Sequence, residues 1–399
     1  MPEISIYGLA ENVRKRMNFS SESCCDEDIY KYCTEELDNI PGGSLLSDEQ
    51  RKRIVRLAFC ALRCELEVLQ DIADDPSVTE IMINGPDSIF VEKNGRIEKA
   101  ETGFETTERL QMVIQRIAAG VGREMNELNP IVDARLSDGS RINAVHSNIA
   151  INGPILTIRR FNKSRLQMED LIKAGDISED AAVMLEKLVC AGYNMFISGG
   201  TSSGKTTFLN ILSDYIPPQE RVIVIEDSAE LQIRGKENLV RMETKNANAQ
   251  GKGAVTIRDL IKTSLRMRPD RIIVGEVRGG EVVDMLAAMS TGHDGSLSTG
   301  HANSIRGMLG RLETMHITAS GFPVSSVRSQ IAEAIEIFVH LARTADGRRR
   351  VIEISELSGI NAGEITLNPL YVFDPDQGLV PTGRRLVNCS KLKLRGINL

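Results

Sequence analysis

At 399 residues the chain is longer than one ordinary folding unit, so two or three domains are expected. Its net charge of −7, its 4% aromatic content and its lack of tryptophan argue against general nucleic-acid binding and against a stacking platform for single strands. No uncharged apolar run approaches the length of a membrane span, and the start Met1-Pro2-Glu3-Ile4 carries no basic-then-apolar signal, so a cytoplasmic protein is expected.

Residues 1–46 are polar and mixed, with room for one short helix before the break at Pro41-Gly42-Gly43-Ser44. Ser47-Asp48-Glu49-Gln50 reads as a capping box that opens a helix with Ile54, Leu57, Ala61, Leu62 and Leu69 near one face. Residues 1–70 are therefore expected to form a helical N-terminal segment. Five of the seven cysteines, Cys24, Cys25, Cys33, Cys60 and Cys64, fall inside it. Without a C-x2-C pair, and with an apolar helix around Cys60 and Cys64, core packing is a simpler role for them than zinc.

From Val78 the period changes. Glu80–Ile83, Ile89–Glu92 and Arg96–Lys99 read as short strands, the last two joined by the hairpin signal Asn94-Gly95. A helix follows with Leu110, Val113, Ile114, Ile117 and Val121 on one stripe, then strands at Asp133–Leu136, Arg141–Val145 and Ile155–Arg160 around an Asp138-Gly139 turn. This is the pattern of a small α+β domain with an antiparallel sheet, at residues 71–160. A polar linker is expected at residues 161–178. Beyond it, helix and strand alternate over residues 179–358, which implies a doubly wound α/β core that takes its ligand at the strand C-terminal ends. Residues 359–399 read as a C-terminal appendage.

The chemistry concentrates in that α/β core. Gly199-Gly200-Thr201-Ser202-Ser203-Gly204-Lys205-Thr206-Thr207 contains the pattern Gly-x4-Gly-Lys-Thr between a short buried strand, Asn194–Ser198, and a helix start. Glycines allow a turn whose N–H groups face phosphate oxygens, and the helix N-terminus adds partial positive charge. Lys205 can reach the β- and γ-phosphates, and the Thr206 hydroxyl is placed for Mg2+. These residues predict a nucleoside triphosphate site. Two later strands end in acids, Ile225-Glu226-Asp227 (with Glu230 three residues on) and Val274-Gly275-Glu276. Glu276 is expected to polarise the attacking water or to hold a magnesium-bound one. His293 and His301 bracket a further strand in glycine-flanked turns, and His301, at the nucleotide end, could sense a γ-phosphate.

Read together, four segments resemble one family. They are Gly199–Thr207, Ile225–Leu231, the run Leu-Arg-Met-Arg-Pro-Asp-Arg-Ile-Ile-Val-Gly-Glu-Val-Arg-Gly ending at Gly279, and Thr291–Ser304. With the Val132–Asn143 hairpin, they look like the type II/type IV secretion ATPase superfamily, nearest to the CpaF/TadA-like ATPases of Tad (Flp) pilus assembly. The resemblance runs from about residue 60 to the end. The four-cysteine zinc insert of one branch is missing, while Gly300 in the histidine motif and the cysteine-rich N-terminus are unusual for the family.

The resemblance implies a RecA-like P-loop NTPase domain preceded by a smaller α+β domain, in a homo-hexamer, with ATP in the cleft between the two domains. It makes Gly199–Thr207 the Walker A loop, Glu226-Asp227 with Glu230 the acidic box, Asp227 a metal candidate, Glu276 the catalytic glutamate and His301 part of the histidine box. It also implies arginines from the first domain on the phosphates, matched here by Arg135, Arg141 and Arg159 or Arg160, with Arg266, Arg268 and Arg278 weaker candidates. The expected protein is a cytoplasmic, Mg2+-dependent ATPase. It would be recruited peripherally to the inner face of the cell membrane by polytopic platform proteins, and would drive pilus assembly or protein secretion. No nucleic-acid partner is expected. The rivals are a RecA-like nucleic-acid motor, which DNA-stimulated turnover would reveal, and a nucleotide-gated scaffold with little turnover.

Overall fold

The computed structural model describes residues 4–19, 25–93, 95–136, 138–160, 166–245 and 252–399. Cys24, Asn94 and the start of the expected linker lie outside them. The chain divides into two compact units, Met1–Lys163 and Ser164–Leu399.

The first unit opens with helices α1 (Ile6–Phe19), α2 (Asp26–Asn39) and α3 (Asp48–Arg63) around a core that includes Leu9, Val13, Ile29, Cys33, Leu37, Phe59 and Cys60. Two helices thus precede residue 46 where the sequence left room for one. In so polar a stretch, α2 closes its inner face with only Ile29, Cys33 and Leu37, one helical turn apart. The capping box at α3 forms as expected: Gln50 N–H donates to Ser47 Oγ at 3.3 Å, and Ser47 N–H to Gln50 Oε1 at 3.0 Å. The buried stripe of α3 is rotated from the expected one, onto Val55, Ala58, Phe59, Cys60 and Ala61. The cause is packing on two sides, since Ile54 and Leu62 lean on the helical core and Leu57 on the core of the following sheet.

A 3-10 turn at Glu67–Leu69 and α4 (Gln70–Asp74) lead into the sheet. Glu67 is fully buried, and Arg109 and Arg116 neutralise it at 2.7 and 2.5 Å, which is what a carboxylate taken out of water requires. Strands β1 (Val78–Ile83), β2 (Ile89–Lys93), β3 (Arg96–Lys99), β4 (Ile131–Arg135), β5 (Arg141–Val145) and β6 (Ile155–Arg159) form a sheet in the order β3-β2-β1-β6-β5-β4. Every neighbouring pair in it is antiparallel. Lys93 opposes Arg96, leaving a two-residue turn whose Gly95 has φ +76°, as the hairpin signal predicts. Helix α5 (Thr107–Gly120) buries Leu110, Val113, Ile114 and Ile117 in the core of this sheet.

In the second unit, helix α6 (Met168–Ala174) occupies part of the expected polar linker, and Met168, Leu171 and Ile172 pack into the unit's core. There follow α7 (Glu179–Ala191), β7 (Met195–Gly199), α8 (Lys205–Asp214), β8 (Val222–Glu226), β9 (Leu239–Glu243), α9 (Ile257–Ser264), β10 (Arg271–Val274), α10 (Val282–Met289), β11 (Leu297–His301), α11 (Ile305–Ser320), α12 (Val324–Ala334) and β12 (Ile337–Arg343). The last elements are β13 (Arg349–Asn361), β14 (Glu364–Asp374), β15 (Gly378–Pro381) and α13 (Ser390–Arg395). One sheet runs β15-β14-β13-β12-β7-β11-β10-β8-β9. From β12 to β9 all neighbours are parallel, and from β13 outward all are antiparallel. Strands β7, β8 and β10 are buried along their whole length, because one hydrophobic core covers each face of the sheet.

The segment after residue 358 is not an appendage. Strands β13 and β14 make a long hairpin that widens the sheet, and Leu370, Leu379 and Leu392 join its core. Lys391 Nζ ties α13 down, at 2.6 Å from Glu336 and 2.7 Å from Asp294.

Candidate functional site

The centre of the parallel sheet supplies the site, at the strand ends where a doubly wound fold opens. Strand β7 ends at Gly199, and the chain turns through residues 200–204 before α8 begins at Lys205. Two residues in this turn have positive φ, Ser202 at +57° and Gly204 at +94°. At Gly199 a side chain has no room, since a Cβ would stand 2.4 Å from both Leu341 O and Ser203 Oγ. Ser203 Oγ is buried and has no hydrogen-bond partner among the described residues, so its hydroxyl is left to a group that enters the loop. Thr201, Ser202 and Thr207 are exposed, and Thr206 is half-buried in the first turn of α8.

Lys205 is almost fully buried in this turn. Its ammonium donates to Gly199 O at 3.2 Å and Gly200 O at 2.9 Å, and it lies 3.2 Å from His301 Nδ1. The register of β11 against β7 sets His301 opposite Gly199, which is why two residues so distant in sequence meet. Lysine can only donate, so His301 Nδ1 is the acceptor and its proton sits on Nε2. That nitrogen faces Glu276 Oε1 at 3.0 Å, without the alignment of a hydrogen bond. Glu276 follows β10 and accepts from Arg278 at 2.9 Å. Lys205, His301 and Glu276, three of the residues singled out from the sequence, thus stand in one continuous group.

The electrostatics of the group are mutual. Burial pushes the Glu276 carboxyl up, but Arg278, His301 and Lys205 outweigh it and hold Glu276 below its usual range. His301 is held below the ordinary imidazole range by burial and then by the Lys205 ammonium, against the pull of Glu276. His340, on β12, lies 2.9 Å from Ser198 Oγ and is likewise held down, chiefly by burial. In the unfolded chain both imidazoles titrate near about 6.5, so acid protonates the unfolded state first. Their contribution to stability is complete above that pH and is lost as pH falls through it. The melting temperature is therefore expected to drop between pH 7.5 and 5.5, and to drop less in the double variant His301→Gln, His340→Gln. An unchanged slope in thermal scans would assign the acid sensitivity elsewhere.

The other expected residues have different placements. Glu226 is only 4% exposed and accepts the N–H groups of Glu230 at 2.7 Å and Leu231 at 2.8 Å. Burial raises its pKa, and those two amides oppose the rise. It anchors the loop after β8, so this member of the expected acidic box has a positioning task in the structure. Its Cγ would lie 3.0 Å from a Cβ on Gly275, so it also braces the turn that carries Glu276. Asp227, expected at a metal, accepts from Thr244 Oγ1 at 2.9 Å and pairs with Arg278 at 3.7 Å. His293 lies at the far end of β11, 3.2 Å from Ala288 O at the close of α10. Gly300 has a packing reason: a Cβ there would stand 2.8 Å from Met308 Sδ and 3.0 Å from Phe196.

In the first unit, Arg135 opposes Arg141, Arg141 opposes Arg159, and Arg159 opposes Glu80. Directly paired residues share a sheet face, so three guanidinium groups form one row beside the Asp138-Gly139 turn. Arg135 also reaches back to Gly139 O at 3.2 Å. Arg160 falls out of this set. Its guanidinium donates to the carbonyls of Asp75 and Val78, which makes it a tie between backbone segments.

Two contacts at the phosphate loop were missed. His340 packs under its first strand, and Arg349 Nε donates to Ser202 O at 2.9 Å. The only sequence signal for the second is the run Arg348-Arg349-Arg350 after a turn, which does not say what it faces.

A family model described as type II/IV secretion system protein matches residues 65–366. The chain is 34% identical over 290 residues to the conjugal transfer protein TrbB of Rhizobium radiobacter, covering 72% of this chain and 85% of that one. It is 30% identical over 323 residues to the type IV secretion system protein PtlH of Bordetella pertussis, covering 74% and 95%. Among solved structures, the Legionella pneumophila ATPase DotB superposes with a TM-score of 0.51 at 21% identity, over 78% of this chain and 81% of that one, a likeness of fold.

Proposed function

The chain belongs to the type II/IV secretion system protein family, and we propose that it is an ATPase whose turnover drives protein secretion or pilus assembly at a membrane. The observation that carries this reading is the meeting of Lys205, His301 and Glu276 beside one glycine-turned phosphate loop. The names of its relatives, a conjugal transfer protein and a type IV secretion protein, support the coupling to secretion. The Tad-type pilus assignment rests on the motif resemblance alone.

In this mechanism the loop N–H groups and the positive end of α8 bind the β- and γ-phosphates. Lys205 leaves the Gly199 and Gly200 carbonyls for the γ-phosphate, where its charge opposes the charge of the transition state. Glu276 takes a proton from water as the water oxygen bonds to the γ-phosphorus. The bond from that phosphorus to the bridging oxygen breaks, and ADP carries the electrons. His301 touches both Lys205 and Glu276, so it links occupancy of the loop to placement of the base. Magnesium would supply charge neutralisation across the phosphates. The half-buried Thr206 hydroxyl suits it, whereas Asp227 would have to give up Thr244 and Arg278 to take part.

The wider reading is a homo-hexamer docked on polytopic membrane proteins. Among the described residues no helix is long and apolar enough to cross a membrane, so attachment through a partner is the simpler route. The test is ATP turnover of the full chain with Mg2+ and with EDTA, alongside its mass in solution with and without nucleotide. Turnover that needs Mg2+ and tracks a six-subunit species is expected, and none in any fraction would sink the reading.

Arg135, Arg141 and Arg159 are proposed to act on the nucleotide phosphates, a reading that rests on the resemblance. Arg141→Ala is expected to cut turnover by about tenfold or more, since a cation aimed at a transferring phosphoryl acts in the transition state. The melting temperature should move by no more than about 2 °C, because half-exposed charges contribute little to folding. Equal turnover in the variant would remove the row from the mechanism.

A further inference from the structure

The hairpin β12–β13 brings a second cation to the phosphate loop. Strand β12 lies parallel to β7 with Leu341 opposite Gly199, and β13 returns along β12 with Arg349 opposite Arg343. The first residue of β13 therefore arrives beside the loop. Alternation along a strand then separates the three arginines of the run. Arg348 donates to Ala174 O at 3.1 Å and Arg350 to Asp346 at 2.7 Å, while Arg349 turns to the loop. Its Nε reaches Ser202 O at 2.9 Å, and its Cδ would lie 3.6 Å from a Cβ on Gly204. Ser202 and Gly204 are the two loop residues with positive φ, so Arg349 sits against both corners of the turn.

Peptide geometry gives this contact a consequence. The carbonyl of Ser202 and the N–H of Ser203 belong to one planar unit and point in opposite directions. Holding the carbonyl outward turns the Ser203 N–H inward, where it makes only a long bond of 3.4 Å to Gly200 O. Serine in the left-handed region is strained on its own, so an outside tie is what keeps this rotation in place.

We propose that Arg349 is a positioning residue for nucleotide binding, which fixes the Ser202–Ser203 peptide so that its N–H faces phosphate and adds positive charge beside Lys205. The inference rests on the ATPase reading and names a residue outside the motifs that support it. It predicts an effect on affinity more than on chemistry, because the tie is present before and during the reaction.

The test uses the full chain, with mant-ADP fluorescence for affinity and phosphate release for turnover. Arg349→Ala is expected to weaken mant-ADP binding and raise the KM for ATP by about tenfold, the size of one charge-assisted hydrogen bond. The kcat should stay within about threefold, the signature of binding shared by ground and transition states. Arg349→Lys, which keeps charge and a donor, should recover most of the affinity. Affinity within about twofold of wild type in Arg349→Ala would overturn the proposal. So would a loss that comes with a lower melting temperature and that lysine does not repair, since that marks a structural role. A wild-type chain that fails to bind mant-ADP would bring down the ATPase reading itself, whereas a binding wild type with an indifferent Arg349→Ala brings down this inference alone.

Discussion

Lys205→Ala is expected to leave a folded protein with ATP turnover reduced by about 100-fold or more, and with nucleotide affinity weakened as well. The Lys205 ammonium touches the loop carbonyls of Gly199 and Gly200 and the His301 ring. In the proposed mechanism the same ammonium moves onto the γ-phosphate. Removing it takes away charge that grows in value as the transition state forms, which is why the effect exceeds that of a surface cation. Folding should suffer less, even though Lys205 is only 7% exposed, because Gly199, Gly200 and His301, which it touches, are not members of either hydrophobic core. The measurement is phosphate release beside thermal melting for wild type and variant. Turnover near wild type would remove Lys205 from the site, and a collapsed melting curve would make it a folding residue.

How much of this was legible beforehand depended on whether chemistry or register decided the outcome. The phosphate loop declares itself because glycine, lysine and threonine are required at fixed spacing, and the buried strand β7 and helix α8 around it have unmixed periods. Glu276 and His301 were readable as residues at strand ends, yet their contact depends on the order β7-β11-β10, which no local pattern contains. Glu226 shows the limit of that approach. An acid at a strand end looks the same whether it faces water or folds back, and here the N–H groups of Glu230 and Leu231 turned it inward. Arg349 was illegible because its partner lies 147 residues away and is reached only through the pairing of β12 with β7. Strand β14, in the expected appendage, hid for another reason. Register shifts between Ile354 and Ser355, and between Leu357 and Ile360, break the alternation by which a half-buried strand is recognised.

Changing Glu276 to glutamine should separate binding from chemistry. The amide keeps the shape of the carboxylate and can still accept from Arg278, so the turn after β10 and the Glu226 brace beneath it should stand. What disappears is the proposed base. Loss of general-base catalysis lowers turnover by about 10²- to 10⁴-fold, while ATP affinity should change little or improve, because one negative charge near the phosphates has gone. Arg278, His301 and Lys205 hold its pKa below the usual range, so the carboxylate is ionised throughout the neutral range. Acid inactivation of the wild type through this group should therefore begin only below the ordinary glutamate range. Any loss of turnover near neutral pH belongs to another group. Paired measurements of ATP affinity and single-turnover rate decide the matter. Wild-type turnover in Glu276→Gln would show that water is activated without this residue. Lost ATP binding at an unchanged single-turnover rate would make Glu276 a member of the binding site and leave the base to be found elsewhere.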